Sequence, residues 1–288
     1  MQCKFLRGSS KGMNTVGVRS LYSLIFSSSM DTSAISFSHS ESGEQPGGRR
    51  TFFYRFLQLP RDILARDMFR AIAQYARGEI LDVGGWDFYL QMKKRGLQYT
   101  HWTILDNSKD KLLQIDDEKC SCVLGDGCNM TFPSNTFDTV INIQVVEHVF
   151  EPIKMVEEIG RVLKPGGHAV FLIPQTAYMH FAPYHYYNFT RFWIEEAIAR
   201  AGMEIVELQC IGGLWSSMAM HSIFFFIQSL RLKGYSVPEC RRRTLFYLLW
   251  PFMALLALIT IPLGFLFSIA DLTESANNHL VVARKKVS

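Results

Sequence analysis

The feature that most constrains this chain is a regular alternation of short apolar runs with amphipathic segments between residues 78 and 210. The apolar runs end in glycine, aspartate or other turn residues, which is typical of buried β-strands. Strands that alternate with helices predict a mostly parallel sheet covered on both faces. The predicted strands span 78–85, 101–106, 120–126, 137–143, 168–174 and 203–210.

The segments between these strands carry helix signals. Segment 151–163 places its apolar side chains on one face, and the Lys-Pro-Gly-Gly run at 164–167 is expected to end that helix before the fifth strand. Thr190 is a predicted N-cap and Gly202 a predicted helix stop. Further helices are expected from Pro60 to about Tyr75, after the first strand, and after Ser108. The fold class is therefore α/β, a doubly wound Rossmann-like sheet.

The chain divides into four predicted parts. Residues 1–50 are serine-rich and basic, with no acidic residue before Asp31, as in a disordered tail or an organellar targeting segment. Residues 51–211 form the predicted α/β core. Residues 212–278 form a hydrophobic helical insert that we expect to associate with a membrane, and 279–288 hold the last strand and a basic tail.

Charge and cysteine content exclude some classes of protein. The net charge of +4 is too small to indicate a dedicated nucleic-acid-binding surface. Cys120, Cys122 and Cys128 lack a fourth ligand and the usual spacing of a zinc site, so we expect no metal there and none elsewhere. A chain of this length needs no disulfides, and reduced thiols in a cytosol-like compartment are expected.

Polar residues and glycines follow four successive predicted strands. Asp82, Gly84 and Gly85 end the first strand, and Asp106, whose carboxylate suits the two hydroxyls of a ribose, ends the second. Asp126 and Gly127 follow the third, and Glu147 and His148 follow the fourth. Each feature alone is weak, because most such aspartates only cap the next helix. Since ligands of open α/β sheets bind outside the carboxyl ends of the strands, the four together predict one binding crevice.

The same region resembles a known family. Segment 125–174 (GDGCNMTFPSNTFDTVINIQVVEHVFEPIKMVEEIGRVLKPGGHAVFLIP) is similar to the central stretch of the class I methyltransferases that use S-adenosylmethionine (SAM), specifically the type 11 group. Its markers are Asp126, the FPSNTFD turn, the Glu-His-Val triplet at 147–149 and RVLKPGG. The resemblance extends from about Glu79 to Leu208, and the HLVVARK segment at 279–285 is similar to the seventh strand of that family.

The resemblance implies a cofactor and a set of contacts. Gly84 and Gly85 would pass beneath the amino-acid part of SAM, with Asp82 orienting that turn or reaching the SAM amine through water. Asp106 would bind the ribose hydroxyls. The adenine would face Asp126 and Gly127, while Gln144 would line the methyl-transfer site. The chain departs from the family at Trp86 and Phe88, where further glycines are usual, and at His185 and Asn188, where the family often has Asp and Arg.

His148 and His185 are the candidate catalytic residues. Imidazole titrates near neutral pH and can remove a proton when the methyl acceptor is a hydroxyl or an acidic carbon. A base is not needed for every acceptor, because orientation and exclusion of water are the main tasks of a methyltransferase site. For His148, a structural hydrogen bond beside Glu147 is the competing interpretation.

Segment 244–270 contains no charged residue and is long enough to cross a bilayer. Basic residues flank it on both sides, which predicts that both ends face the cytoplasm. Since the seventh strand must rejoin the sheet, we expect a hairpin or interfacial helix pair, broken at Pro251 and Pro262, that enters one leaflet. Two alternatives remain open: a second crossing at 214–230, and a buried helical cap or dimer face.

These observations support two functional hypotheses. The first is a methyltransferase that acts on a small-molecule, lipid-like or lipid-linked acceptor at the cytoplasmic face of a membrane, or in the cytoplasm. The second is a binding or scaffold protein that keeps the fold but has lost cofactor use. An NAD(P) oxidoreductase is disfavoured because the turn after the first strand lacks GxGxxG.

Overall fold

The computed structural model describes residues 65–109, 115–231 and 242–287. The predicted targeting segment at 1–50 and the start of the helix at Pro60 lie outside these residues, as does most of the predicted helix after Ser108. The described residues contain one sheet and six α-helices. The helices are α1 (65–75), α2 (Phe88–Lys94), α3 (Pro152–Val162), α4 (Arg191–Arg200), α5 (Leu214–Ser229) and α6 (Thr244–Phe267).

Seven strands form the sheet, in the order β3-β2-β1-β4-β5-β7-β6. Neighbouring strands among the first five are parallel, whereas β7 runs antiparallel to both β5 and β6. The fold class predicted from the sequence is confirmed, including the return of the last strand into the sheet. The strands are β1 (Glu79–Val83), β2 (His101–Asp106), β3 (Cys120–Leu124), β4 (Phe137–Ile143), β5 (Leu163–Pro174), β6 (Met203–Ile211) and β7 (Asn278–Lys285).

Alternating side chains of the strands build one apolar layer on each face of the sheet. Leu81 of β1 and Ile159 of α3 belong to one layer, which α4 also covers. Ile80 of β1 and Phe88 of α2 belong to the other, which α1 completes. Adjacent residues of β1 therefore face opposite layers, as the two-residue period of a strand requires. This double cover leaves the ends of the strands as the accessible part of the sheet.

Two local predictions about α4 are confirmed. The Thr190 hydroxyl accepts a hydrogen bond from the backbone N–H of Trp193 at 3.5 Å, which satisfies one free donor of the first turn. Gly202 has φ +72°, a left-handed conformation that ends the helix and that glycine adopts without strain.

The start of β5 differs from the prediction. The strand begins at Leu163, not at His168, and Lys-Pro-Gly-Gly lies inside it. Leu163 pairs with Phe137 and His168 pairs with Thr139, so the register between β4 and β5 shifts over this run. The glycines and proline therefore produce an irregularity within the strand as well as the end of α3.

Helices α5 and α6 form a two-helix hairpin between β6 and β7. The prediction that Pro251 and Pro262 break the second segment is wrong, since α6 is one continuous helix with both prolines inside it. Each proline removes one backbone hydrogen bond, but packing against α5 supports the helix. The close contact is at Gly264, where a Cβ atom would lie 2.7 Å from the carbonyl oxygen of Trp215.

The hairpin leaves the sheet at the carboxyl edge. Ile211 at the end of β6 pairs with Asn278, which also pairs with Pro174 at the end of β5. Asp271, after α6, caps α5: its carboxylate accepts hydrogen bonds from the backbone N–H groups of Trp215 at 2.8 Å and Ser216 at 3.0 Å. This cap holds the start of α5 and the end of α6 together, beside the strand ends that carry the candidate site.

Candidate functional site

The candidate site residues follow five adjacent strands of the sheet, β3, β2, β1, β4 and β5, at their carboxyl ends. We call Asp82, Gly84, Gly85 and Asp106, at the ends of β1 and β2, the cofactor half, because the family resemblance predicts the cofactor contacts there. We call His148, His180 and His185, which follow β4 and β5, the histidine cluster. The change in strand order between β1 and β4 separates the two groups, and open α/β sheets bind ligands at such a point.

Asp82 and Gly85 are in direct contact. The Asp82 side chain is buried, and a Cβ atom added to Gly85 would lie 1.9 Å from its carboxyl carbon. Any side chain at position 85 would therefore displace the carboxylate. The indole N–H of Trp102 donates a hydrogen bond of 3.3 Å to Oδ2 of Asp82. The sequence does not reveal this bond, because it depends on the register of β1 against β2.

The environment of Asp82 disfavours its ionised form. Burial raises the pKa of Asp82 to about 8, and the hydrogen bond from Trp102 offsets only part of the rise. The nearby carboxylates of Asp106 and Asp87 raise the pKa further. Asp82 is thus mainly protonated near neutral pH until a positively charged group approaches it.

Asp106 ends β2 on the same face of the sheet as Asp82. Its carboxylate is buried, and Oδ1 accepts a hydrogen bond from the backbone N–H of Ser108 at 2.9 Å. That bond holds the side chain at the strand end. Gly84 has φ +73°, and its N–H donates to the carbonyl of Leu105 at 2.7 Å, so the turn after β1 lies against the end of β2. The cofactor half is therefore one connected unit.

The loop after β3 contains Asp126 and Gly127, the two residues predicted to face the adenine. Asp126 is exposed, and its Oδ1 accepts a hydrogen bond from the backbone N–H of Cys128 at 2.8 Å. Gly127 is buried, and a Cβ atom there would lie 2.6 Å from the side chain of Met155. The loop thus packs closely on α3, and a larger residue at position 127 would have to displace the flexible end of Met155.

Gln144, directly after β4, has φ +55°, which is a strained conformation for a residue other than glycine. Its side-chain amide donates a hydrogen bond of 2.6 Å to Oδ1 of Asn278 in β7. Trp86 (φ +43°) and Phe181 (φ +53°) share this conformation after β1 and β5. Backbone strain of this kind is often found at functional sites. Three of the five such residues in the described chain lie at this edge of the sheet, and the other two, Asn135 before β4 and Arg231 after α5, lie elsewhere.

The two departures from the family at the first turn have different structural outcomes. Phe88 is fully buried and stacks on Phe69, with ring centroids 6.3 Å apart, so it belongs to the core layer on that face. Trp86 is half-buried within the turn itself.

The two histidines predicted as catalytic lie close together, with ring centroids 5.8 Å apart. Nδ1 of His148 is 2.8 Å from the carbonyl oxygen of Tyr184. In His185, Nδ1 accepts from the backbone N–H of His180 at 3.2 Å, while Nε2 is 3.1 Å from the carbonyl oxygen of Tyr187. Both ring nitrogens of His185 therefore have partners within the loop, which argues against His185 as a base.

His180 is a further residue of the histidine cluster that was not predicted from the sequence. Its ring centroid lies 4.9 Å from that of His148 and 4.5 Å from that of His185. Burial lowers the pKa values of His180 and His185, so both rings are neutral near pH 7. The available signal was the two histidines five residues apart in the aromatic segment before Thr190.

The hairpin contacts the loop that carries these histidines. The Thr176 and Ser217 hydroxyl groups are 2.7 Å apart, and the ring of Tyr178 stacks on Phe224 of α5. Among the described residues, the apolar hairpin therefore packs against the loop that carries the histidine cluster and not against the cofactor half.

Comparison with known proteins identifies a methyltransferase domain in this chain. Residues 81–171 match the family model for a methyltransferase domain of type 11. An uncharacterized methyltransferase of Schizosaccharomyces pombe is 37% identical over 71 residues, which are 23% of this chain and 26% of that protein. A probable S-adenosylmethionine-dependent methyltransferase of Mycolicibacterium smegmatis is 30% identical over 89 residues, 28% of this chain and 34% of that protein. The matches thus span about a third or less of these two relatives.

Solved structures share the fold at low sequence identity. The crystal structure of the [4+2]-cyclase SpnF superposes with a TM-score of 0.53 and 17% identity, covering 80% of this chain and 84% of that chain. At this identity the likeness concerns the fold alone.

Proposed function

Since residues 81–171 of this chain belong to the class I methyltransferases of the type 11 group, we propose that it transfers a methyl group from SAM to a lipid-like or lipid-linked acceptor at a membrane surface. The observation that carries the proposal is the cofactor half, where Asp82, Gly85 and Asp106 form one connected unit at the ends of β1 and β2. The hairpin beside the histidine cluster supports the choice of acceptor.

The cofactor half fits SAM in two respects. The buried carboxyl group of Asp82 packs against Gly85, where it would attract the SAM ammonium group. Asp106, held at the strand end by Ser108, would accept hydrogen bonds from the two ribose hydroxyls. Bound SAM supplies a methyl group that its sulfonium makes electrophilic. Gly84, Asp126, Gly127 and Gln144 remain proposed contacts of the same site.

The protein's own contribution is orientation and exclusion of water. We place the acceptor beside the histidine cluster. The loop between β5 and α4 lies there, and its aromatic and histidine rings pack together. Such packing holds an acceptor in line with the methyl group and keeps water out. For a hydroxyl acceptor, His148 is the proposed base, because a carbonyl at its Nδ1 leaves the lone pair on Nε2.

Helix α6 supports the membrane assignment. The most apolar 18-residue stretch of Thr244–Ala270 has a mean hydropathy of 2.4, and only 17% of that stretch is buried. A helix that filled a soluble core would be mostly buried, so this face needs another apolar environment. The helix is about 36 Å long at 1.5 Å per residue, enough to enter the hydrocarbon region.

Charge at the far end of the hairpin agrees with a lipid surface as the partner. Arg242 and Arg243 directly precede α6, and the Arg242 guanidinium donates to the carbonyl oxygens of Gln228 and Ser229 at the end of α5. Basic residues at this position attract the anionic headgroups of a cytoplasmic leaflet. The proposed location is therefore the cytoplasmic face of a membrane.

Liposome flotation tests the membrane assignment. Phe252 and Leu256 are 72% and 65% exposed, so the double variant Phe252→Glu/Leu256→Glu changes the proposed membrane face without removing core contacts. We expect the wild type to float with vesicles that contain anionic lipid and the double variant to stay in the aqueous fraction. Phe192→Glu is the matched control, because Phe192 of α4 is 73% exposed and lies outside the hairpin. Equal flotation of all three proteins would contradict the assignment.

Methyl-deuterated SAM tests the activity and the acceptor class. The protein is incubated with this SAM and a total membrane lipid extract, and mass spectrometry locates the labelled methyl group. Label in the organic fraction supports the proposal, whereas label only in a water-soluble acceptor refutes the lipid assignment. Failure to bind SAM favours the second hypothesis, a binding protein without cofactor use, which Trp86 in the glycine turn also favours.

A further inference from the structure

Glu147 lies in a short 3-10 turn after β4, Val146–His148, and its side chain is fully buried. Neither carboxylate oxygen has a hydrogen-bond partner among the described residues. Nε2 of His148 approaches Oε1 to 3.7 Å, which is longer than a hydrogen bond. An ionised carboxyl group that is buried without a hydrogen bond is costly, and a metal ion is one of the few groups that stabilises it.

Two imidazoles converge on this carboxylate. One ring nitrogen of His148, one of His180 and one oxygen of Glu147 lie within 4.8 Å of one another. Bonds of about 2.1 Å in a tetrahedral site place two donor atoms about 3.4 Å apart. The three side chains therefore need to close by only about an ångström to share one ion.

Backbone carbonyls set the protonation of both rings. Nδ1 of His148 is 2.8 Å from the carbonyl oxygen of Tyr184, and Nδ1 of His180 is 2.8 Å from that of Tyr178. A carbonyl only accepts, so each Nδ1 carries a proton and Nε2 is the nitrogen of each ring that can offer a lone pair to a metal ion. Metal-ligating histidines in proteins commonly have this arrangement.

We propose that Glu147, His148 and His180 bind one divalent transition-metal ion on the acceptor side of the site. Two imidazoles and one carboxylate suit Zn²⁺ and related ions, and three protein ligands leave a position open. Insofar as the proposed methyltransferase function holds, that position takes an oxygen of the acceptor, and a bound hydroxyl becomes more acidic. The lone pair of His148 then serves as a ligand in place of a base.

Metal titration of the full chain tests this inference directly. Protein dialysed against a chelator is titrated with Zn²⁺ in competition with a chromophoric chelator, and we expect one tight site per chain. Glu147→Gln and His180→Gln should each weaken Zn²⁺ binding by more than the roughly 10–100-fold that loss of an outer-shell partner costs. His221→Gln is the matched control, because His221 is exposed on α5 with Nδ1 near the carbonyl of Ser217, and it should bind as the wild type does.

Co²⁺ identifies the ligands independently of the variants. We expect absorption bands typical of nitrogen and oxygen ligands, without a thiolate charge-transfer band. A thiolate band would assign the metal to the cysteines near β3 and overturn the inference. So would the absence of Zn²⁺ binding, or binding unchanged in Glu147→Gln and His180→Gln. If Glu147→Gln fails to fold, the Zn²⁺ affinity of His180→Gln, a variant in the loop, tests the inference by itself. Because the titrations contain no SAM, failure of this inference is distinguishable from failure of the proposed function.

Discussion

Binding of SAM should release a proton from Asp82. The pKa of Asp82 is raised to about 8, first because of burial. At pH 7 such a group is about 90% protonated. A SAM ammonium group beside Asp82 favours the carboxylate, so binding should release most of one proton per molecule of SAM.

Isothermal calorimetry measures this release. The apparent binding enthalpy is determined at pH 7 in buffers of different ionisation enthalpy, and the slope gives the number of protons released. Asp82→Asn keeps the shape of the side chain and the acceptor for the Trp102 indole N–H, but it has no proton to lose. We expect the slope to fall to near zero in this variant.

Glu147→Gln provides the matched control, because burial also raises the pKa of Glu147 to about 8. This variant should keep the wild-type slope, since Glu147 lies with the histidine cluster and not in the cofactor half. A wild-type slope of zero, or a slope that persists in Asp82→Asn, would refute the assignment of Asp82 to the SAM ammonium group.

Three further perturbations test other parts of the structure. The folded-state pKa of Asp82 is raised from 3.8 to about 8, so the unliganded protein should lose stability as pH rises from about 4 to about 8. Asp82→Asn should lose less stability over this range in urea denaturation. Identical pH profiles of the two proteins would contradict the raised pKa of Asp82. Gly85→Ala places a Cβ atom 1.9 Å from the Asp82 carboxyl carbon and should abolish SAM binding, so wild-type affinity would contradict the described contact. Asp271→Ala removes the α5 cap and should lower the free energy of unfolding by roughly 0.5–2 kcal/mol, whereas an unchanged midpoint would show that water replaces the cap.

The sheet was predictable because its signals are local. Each strand is a short apolar run with its own turn residues, and Thr190 and Gly202 mark the two ends of α4 in the sequence itself. The positions of Asp82 and Asp106 at strand ends followed from the same runs. The parallel order of the strands then brings these residues to one edge.

The parts that were missed depend on contacts between distant segments. The Trp102–Asp82 hydrogen bond requires Ile80 to pair with Trp102, which no local pattern specifies. His180 lies in a loop without a periodic pattern, so nothing in the sequence aims it at Glu147. The continuity of α6 through two prolines depends on its packing against α5. Tertiary contacts decide all three.

Calorimetric titration with SAM is the most direct test of the account, which places the cofactor at the ends of β1 and β2. We predict one SAM per chain, with binding lost in Asp106→Ala and retained in Asp116→Ala. Asp116 is exposed and lies before β3, at the opposite edge of the sheet from Asp106. Equal SAM affinity in these two variants, or none in the wild type, would contradict the account.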